Sequence, residues 1–269
     1  MTERAAVLVA PGRIDVREVV PPRLGRRDVR VRVTAVGLCG TDLHIFAGHA
    51  NYNRDERGRP IPLEAEPQIL GHEIAGVVEA TGPEVDDLRS GQPVVIDQGR
   101  NCVSEARAPV CEYCASGDSH QCEFYREHGI TGLPGGFADS VTIPAVNAIA
   151  TDGTLDPAVA AVTEPLGCIV HAADRLLRAP ARYALRGPPD GRVRCALICG
   201  AGPAGLLWLQ YLRSALGFDG LVLVSEPSAL KRALAARFGA EPIDPGAVDV
   251  AEIVAERTRG RRAELVIEA

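Results

Sequence analysis

The residues best suited to chemistry are a thiol, an imidazole and carboxylates at three places in the chain. Cys39 begins the run Cys-Gly-Thr-Asp-Leu-His, His72 and Glu73 follow a glycine, and Glu164 comes later. A catalytic zinc uses about three protein ligands of these kinds and keeps a further position open for substrate. Cys39, His72 and either Glu73 or Glu164 would supply that set.

Two side chains close to Cys39 could move the proton that an alcohol releases on oxidation. Zinc acts as a Lewis acid and lowers the pKa of a bound alcohol, so that hydride can leave the carbinol carbon for a nicotinamide. Thr41 and His44 follow Cys39 closely and offer a hydroxyl and an imidazole for a proton relay. We therefore expect Thr41 and His44 to be catalytic residues.

Four further cysteines form a compact group that predicts a second, structural zinc. They are Cys102, Cys111, Cys114 and Cys122. The N-terminal residues lack an apolar export signal, which favours the cytoplasm, where thiols bind metal rather than pair as disulfides. A site closed by four thiolates stabilises structure and leaves no position for substrate. The spacing from Cys102 to Cys111 exceeds the usual two to four residues, so another side chain remains an alternative fourth donor.

A glycine-rich run at residues 200–205, Gly-Ala-Gly-Pro-Ala-Gly, lies between an apolar strand-like segment and a helix-like segment. Glycines there permit a tight turn, close approach of backbone to a pyrophosphate, and close packing of helix on strand. Glu226 ends the next strand and could accept hydrogen bonds from ribose hydroxyls, which favours NAD over NADP. The alternative is an ordinary tight turn followed by an acidic strand end. The predicted cofactor-binding residues are Gly200, Gly202, Pro203, Ala204, Gly205 and Glu226.

Hydrophobic periodicity changes midway along the chain. The first half alternates apolar and polar residues with period two, which predicts strands at Val29–Val36, Ile74–Ala80 and Gln92–Asp97 around a long loop at 47–68. The second half predicts alternating strands and helices at Val193–Cys199, Leu206–Arg213, Leu221–Glu226, Ala229–Phe238, Ala247–Arg257 and Ala263–Ala269. Such alternation is typical of a parallel sheet. The fold class is therefore α/β, with a β-rich domain over 1–160 and a dinucleotide-binding domain over 161–269.

Composition excludes several kinds of partner. The 269 residues are 46% hydrophobic and 24% charged, with a formal net charge of -6. This charge gives no general attraction to nucleic acid or to anionic membranes, and no basic stripe with aromatic residues is present. No apolar run reaches the length of a membrane span. The partner expected from the motifs is a small-molecule alcohol, polyol or sugar. His49, His120 and His128 lie in polar stretches, which predicts surface positions.

Taken together, these motifs resemble the zinc-dependent medium-chain dehydrogenase/reductase family of alcohol and polyol dehydrogenases. The resemblance rests on Gly37–His44, Gly71–Gly76, Thr163–Leu166, the cysteine group, residues 200–205 and Glu226. It implies a GroES-like domain carrying both zincs, followed by a Rossmann domain that binds NAD(P). A glutamate at 164, where ethanol-type members have cysteine, is similar to the sorbitol, threonine and glucose dehydrogenase branches. Cys39, His72 and one glutamate would bind zinc, with the second glutamate bound directly or through water.

The resemblance also implies that members continue beyond this chain's last strand by about half a Rossmann sheet and a returning segment. The nicotinamide end and the usual dimer edge would lie there, so we expect this chain to be truncated. The sequence is compatible with a homo-oligomer. The predicted activity is NAD-dependent oxidation of a secondary alcohol in a polyol- or sugar-like substrate. The alternatives are an aldose (glucose-type) 1-dehydrogenase and a truncated, non-catalytic zinc-binding fragment.

Overall fold

The protein consists of two compact units, Met1–Glu164 and Pro165–Ala269, in a computed structural model that describes residues 2–269. The first unit is built from antiparallel strands, and the second from a parallel sheet with helices. This arrangement confirms the predicted α/β class, with a β-rich part preceding a parallel α/β part. The assignment of a catalytic domain to 1–160 and of a cofactor-binding domain to 161–269 stays a prediction.

Three antiparallel sheets make up the first unit. A five-stranded sheet has the order β10-β6-β5-β3-β9, with strands Ala148–Ala150, Pro93–Ile96, Glu73–Thr81, Asp28–Gly37 and Ser140–Pro144. A three-stranded sheet has the order β2-β1-β4, with strands Arg13–Val19, Glu3–Ala10 and Gln68–Ile69. The short pair β7 and β8 joins Gly99–Arg100 to Arg126–Glu127. The predicted strands near 29, 74 and 92 are thereby confirmed.

The alternation of side chains along β3 explains how the five-stranded sheet buries one face. Val29 and Val31 are fully buried, and they pack with Ile74, Val78 and other apolar residues of the neighbouring strands. Successive strand residues point to opposite faces, so one apolar set forms the core while the arginines between them face outward. This sheet is the rigid support on which the ends of β3 and β5 are placed.

Short helices and a long loop complete the first unit. Helix α1 covers Gly40–Phe46, α2 covers Glu112–Ser116 and α3 covers Pro157–Ala161, while α4, Thr163–Arg178, runs into the second unit. The predicted loop at 47–68 is confirmed, since it holds no helix and reaches only the first residue of β4. Its side chains organise it locally: Asn53 is buried and its amide donates to Glu66 at 3.0 Å.

The second unit is a four-stranded parallel sheet in the order β13-β12-β11-β14. Its strands are Glu241–Ile243, Leu221–Ser225, Cys195–Cys199 and Leu265–Glu268, and helices α5, α6 and α7 cover Pro203–Gln210, Ala229–Arg237 and Val250–Arg257. Both central strands are buried, and Ile198, Val222 and Val224 pack against Leu209 and Leu212 from the segment after the glycine run. The alternation predicted from residue 193 onward is therefore confirmed.

One helix differs from its prediction. The segment expected to be helical from Leu206 begins at Pro203, and after Gln210 it continues as a π-helical turn over Tyr211–Ala215. The guanidinium of Arg213, within this wider turn, donates to the carbonyl oxygens of Phe218, Gly220 and Gly239. The accepting carbonyls lie 5, 7 and 26 residues further along the chain, and hydrophobic periodicity signals none of them. Among residues 2–269, no helix combines the length and apolarity that crossing a bilayer requires.

Candidate metal centre and dinucleotide loop

The ends of two neighbouring strands bring three predicted metal ligands together. Cys39 follows β3 and forms the N-cap of α1, whereas His72 and Glu73 stand at the start of β5. Because β3 and β5 are antiparallel, Gly37 lies opposite Glu73. One ligand atom each from Cys39, His72 and Glu73 lie within 4.8 Å of one another. Ligand atoms on one zinc ion lie roughly 3.3–3.8 Å apart, which is inside this limit, so the donor types and their convergence suit a zinc ion.

Gly37 is required for this arrangement. A Cβ atom at position 37 would overlap the carboxylate of Glu73. The carboxylate of Glu73 can therefore lie over the last residue of β3 only because that residue, Gly37, has no side chain. The Gly-Leu-Cys spacing in the sequence thus reflects a space requirement as well as a turn.

Asp42 is a residue of this site to which the sequence analysis gave no role. It is buried, and its carboxylate accepts hydrogen bonds from the backbone N–H of Cys39 at 2.9 Å and of Gly71 at 3.1 Å. Its Oδ1 also lies 3.6 Å from Nδ1 of His72. One carboxylate therefore holds the backbone beside two ligands and lies next to the imidazole of one of them. The signal was an acidic residue at the third position of a helix that Cys39 caps.

The charges of the three candidate ligands suit a cation. Hydrogen bonding with His72 is the main reason that the pKa of Cys39 is lowered, toward the thiolate form that binds metals. Burial alone would lower the pKa of His72, but the acceptor groups of Asp42 and Cys39 beside its ring outweigh it and raise that pKa to about 10. Burial raises the pKa of Glu73. The lowered pKa of Cys39 favours the deprotonated thiol that a metal requires, and the proton that His72 holds is one that metal binding would release.

Glu164 is not one of the three residues that converge. It lies in the first turn of α4, and its Oε1 accepts a hydrogen bond from Nε2 of Gln98 at 2.8 Å. Burial raises the pKa of this carboxyl, and the charge of His72 opposes that rise. The structure therefore places Glu164 in the electrostatic surroundings of His72 but outside the compact ligand group.

The two predicted relay residues share helix α1. The hydroxyl of Thr41 lies 3.8 Å from Sγ of Cys39. His44 is exposed in the last turn, and its ring centroid lies 6.2 Å from that of His49. Residues three apart on a helix lie on one face, so Thr41 and His44 follow each other from the metal group toward the surface. Their role in proton transfer stays a prediction.

The four clustered cysteines converge despite the long spacing after Cys102. One sulfur from each lies within 4.8 Å of the other three, with Cys102 to Cys122 at 3.7 Å and Cys111 to Cys122 at 3.8 Å. Cys111 caps α2, and Cys114 lies within that helix. Backbone hydrogen bonding, chiefly from Cys114, lowers the pKa of Cys111 to about 6. This geometry fits a closed four-thiolate zinc site that includes Cys102.

The glycine run forms a tight turn between β11 and α5. Gly200 follows β11 with a φ of +105°, Gly202 caps α5, and Pro203 occupies the first turn of that helix. A Cβ at Gly205 would overlap the carbonyl oxygen of Gly200, which shows how closely helix and strand approach. The first turn also contains Ala204, and the N–H groups of a helix start can face an anion.

Glu226 contacts the glycine run directly. Its Oε2 accepts from the backbone N–H of Ala201 at 2.8 Å, and its Oε1 accepts from that of Ser228 at 2.8 Å. The residue is 5% exposed, and although burial acts in the opposite sense, these backbone donors lower its pKa. A charged carboxylate is therefore fixed beside the loop. Its predicted contact with ribose hydroxyls stays a prediction.

The surface position predicted for His128 is wrong. His128 is buried, and its Nδ1 lies 2.8 Å from the carbonyl oxygen of Pro134, while Nε2 is buried without a hydrogen-bond partner. The prediction rested on the polar neighbours of His128 in the sequence. In the fold, the backbone N–H of His128 donates to the carbonyl oxygen of Gln98, which holds this segment in the interior. His49 and His120 are exposed, as predicted.

Comparison with known proteins places these features in one family. Residues 25–152 match the family described as the alcohol dehydrogenase GroES-like domain. L-threonine 3-dehydrogenase of Thermococcus kodakarensis is 34% identical over 252 residues, covering 93% of this chain and 63% of the relative. L-galactonate-5-dehydrogenase of Escherichia coli is 29% identical over 255 residues, covering 94% and 64%. A structure described as a zinc-binding dehydrogenase from Sinorhizobium meliloti, bound to NADP, is 32% identical with a TM-score of 0.80, covering 100% of this chain and 70% of that chain.

The chain belongs to the zinc-type medium-chain dehydrogenase family, which confirms the predicted resemblance. The match also confirms the GroES-like nature of the first, β-rich part. The chain spans 63% of the length of the T. kodakarensis relative.

Proposed function

We propose that this chain serves a zinc-dependent dehydrogenase that transfers hydride from a secondary alcohol of a polyol- or sugar-like substrate to NAD. The observation that carries the proposal is the convergence of Cys39, His72 and Glu73 within 4.8 Å at the adjoining ends of β3 and β5. Thiolate, imidazole and carboxylate together form the donor set of a zinc site that keeps a position for substrate.

Cys39, His72 and Glu73 would hold the catalytic zinc, and Cys102, Cys111, Cys114 and Cys122 would hold a structural one. The catalytic zinc supplies Lewis acidity toward a substrate oxygen. In this proposal Asp42 lies beside His72, and the Thr41 hydroxyl, 3.8 Å from Cys39 Sγ, would accept the proton of the alcohol while a proton passes along α1 to His44. His44 is exposed and can release that proton to solvent.

The second unit would bind the dinucleotide that accepts the hydride. The backbone turn at 200–205 and the start of α5 offer N–H groups to a pyrophosphate. The charged carboxylate of Glu226, held beside this turn, favours ribose hydroxyls and repels a 2′-phosphate. We therefore propose NAD, although the S. meliloti relative is described with NADP.

The substrate class follows from the acidic character of the site and from the relatives. Glu73 and Glu164 can accept hydrogen bonds from additional hydroxyl groups of a substrate. Relatives named for threonine and galactonate oxidise substrates with several polar groups. A polyol or sugar acid is our first candidate, and an aldose 1-dehydrogenase is the alternative within the same chemistry. The third alternative, a non-catalytic zinc-binding fragment, predicts metal binding without turnover.

The test is NADH formation by the purified chain with a panel of polyols, aldoses, sugar acids and threonine, measured beside its zinc content. We expect about two zincs per chain. Cys39→Ser and His72→Ala should each remove one zinc and lower turnover more than about 100-fold, since even outer partners of metal ligands cost 10–100-fold.

Exposed residues of the same types on α4 provide matched controls, namely Cys168→Ser and His171→Ala. Both should keep two zincs and full turnover. Unchanged NADH formation in Cys39→Ser would contradict the proposed metal site. Two zincs with no turnover on any substrate would instead favour the non-catalytic fragment.

A further inference from the structure

An arginine-rich segment joins α7 to β14 at the amino-terminal edge of the parallel sheet. Residues 257–262 read Arg-Thr-Arg-Gly-Arg-Arg, a local exception in a chain of net charge -6. Helix α7 ends at Arg257, and β14 begins at Leu265. The glycine run follows the carboxyl end of β11, whereas this segment lies beside its amino end, where the N–H of Glu264 donates to the carbonyl of Cys195 at 3.1 Å. The proposed dinucleotide contacts therefore leave these arginines without a role.

The arginines of this segment line a cavity of about 200 Å³. Thr258 belongs to its wall, together with residues at the starts of β11 and β12. Five arginines face the cavity, namely Arg194, Arg257, Arg259, Arg261 and Arg262. A guanidinium group is planar and presents two parallel N–H groups to the oxygens of a phosphate. Several arginines around one small cavity therefore suit a phosphate group.

The cavity has more positive than negative charge. Three of the five arginines pair with carboxylates: Arg257 with Glu241 at 2.5 Å, Arg261 with Glu264, and Arg194 with Asp190 at 3.6 Å. Across the part of the chain that the structure describes, the side chains of Arg259 and Arg262 form no ion pair or hydrogen bond. The C-terminal end of a helix such as α7 carries about half a negative charge, less than one arginine supplies. A positive surplus remains, and it attracts an anion.

The backbone fixes the positions from which the two unpaired arginines extend. The hydroxyl of Thr258 donates to the carbonyl oxygen of Val254 at 2.7 Å and accepts from the N–H of Arg262 at 2.7 Å. Arg259 and Arg262 have left-handed backbone, with φ of +52° and +67°. This conformation is uncommon for residues other than glycine. The connection is therefore a specifically shaped turn rather than an arbitrary charged loop.

Arg261 is held in place beside them. Its guanidinium pairs with Glu264, donates to the carbonyl oxygen of Arg192 at 3.3 Å, and lies 5.1 Å from the ring centroid of Tyr183. Glu264 is fixed in turn, because it accepts from the N–H of Cys195 at 2.9 Å. One wall of the cavity is thus ordered before a ligand arrives, which reduces the entropy that binding costs.

We propose that this cavity binds the phosphate group of a small molecule through Arg259 and Arg262. Free inorganic phosphate and a phosphate ester share this chemistry. A polynucleotide is disfavoured, because the whole chain is acidic and the described residues that line the cavity include no aromatic ring on which a base could stack. The inference goes beyond the proposed dehydrogenase activity and does not depend on it.

The test is isothermal titration calorimetry of the full chain with inorganic phosphate, in a low-salt buffer without other phosphate at pH 7.5. The double variant Arg259→Gln/Arg262→Gln should bind at least about 10-fold more weakly than the parent, since it loses charge-assisted hydrogen bonds. Each single substitution should also weaken binding, which keeps the test decisive if the double variant folds poorly.

The matched control is Arg17→Gln/Arg23→Gln, which removes the same charge from two exposed arginines of the first unit. It should bind phosphate as the parent does. Glycerol 3-phosphate identifies the source of the ligand: tighter binding than inorganic phosphate indicates an ester, and weaker or equal binding indicates free phosphate. Both results require the loss in the double variant.

Hydrogen exchange locates the bound phosphate, which should slow exchange in residues 257–264. Equal affinities of the parent and the Arg259 and Arg262 variants, or protection confined to residues 200–205, would overturn the inference and leave the proposed function untouched. Tighter binding of a DNA duplex than of either phosphate, lost in the same double variant, would also overturn it, because the ligand would then be a polynucleotide.

Discussion

Single carboxylates form hydrogen bonds that connect segments far apart in the sequence of this chain. Asp42 binds the N–H of Gly71 across 29 residues, Glu226 binds that of Ala201 across 25, and Glu264 binds that of Cys195 across 69. Carboxylates that accept hydrogen bonds from backbone N–H groups are satisfied, so each one determines how two segments meet. None of these partners could be predicted from local sequence, because the pairing appears only once the strands are assembled.

His128 leads to a prediction about acid stability. Burial lowers its pKa to about 4, whereas an unfolded histidine has a pKa of about 6.5. Between these values the unfolded chain binds one more proton, so unfolding free energy falls as the pH drops from about 6.5 to about 4. The loss is on the order of 3 kcal/mol. Urea unfolding at pH 7.5 and at pH 4.5 measures it.

The matched variant for that experiment is His128→Phe, which cannot take up the proton. It loses the bond to Pro134 at every pH, so it should be less stable at pH 7.5 but show a smaller fall toward pH 4.5. Zinc release at low pH affects both proteins alike. If the unfolding free energy fell by the same amount in the two proteins, protonation of His128 would not contribute to the loss of stability, and the prediction would be wrong.

Helices and strands with a clear period of apolar residues could be predicted from the sequence. Segments that bury few apolar residues could not. The strands from Val29, Ile74 and Leu221 carry alternating or continuous apolar residues that match their burial. The cysteine lobe, residues 99–128, is different, because it contains only two-residue strands and short helical turns. Its cysteines could be recognised from spacing, but the place of Cys102 depends on how the intervening loop returns. We therefore expect this lobe to depend on the proposed structural zinc for its order.

We accordingly expect Cys111→Ser to remove one zinc and loosen only the lobe. The closed site supplies folding energy that the short elements lack, so limited proteolysis should cut within residues 99–128. The zinc held by Cys39 should be retained. Zinc analysis and mass spectrometry of the fragments test this, with Cys168→Ser as the intact control. A variant that keeps two zincs would show that Cys111 is not a ligand.

At the scale of the whole molecule, the candidate metal ligands and the candidate dinucleotide loop lie in different units. The candidate zinc ligands Cys39, His72 and Glu73 and the four cysteines belong to Met1–Glu164, while the glycine run and Glu226 belong to Pro165–Ala269. This division follows the order of motifs in the sequence, and so the general plan could be predicted. The details that complete the metal group, such as the bond between Asp42 and Gly71, could not, since the two partners lie 29 residues apart and meet only in the fold.

Hydrogen exchange should show that zinc and NAD each protect a different unit of the protein. Removing zinc with a chelator should speed exchange in residues 99–128 and at the start of β5. NAD at about 100 times its dissociation constant stabilises the bound state by about 2.7 kcal/mol, and should slow exchange around 200–205 and Glu226. Mass spectrometry of the labelled peptides measures both. Slower exchange in the first unit alone on adding NAD would contradict the assignment of the dinucleotide to residues 200–226.

The bond from Asp42 to Gly71 also separates what this chain must keep from what it can exchange. Residues 47–68 begin after α1 and end shortly before Gly71, so the segment hangs between two points that Asp42 already connects. Doubling the length of such a loop costs only about 0.6 kcal/mol in closure entropy. The exposed turn at 56–60 can therefore lengthen or change while Cys39 and His72 stay in register, whereas Asn53 and Leu63, which are buried, tie the rest of the segment to the unit.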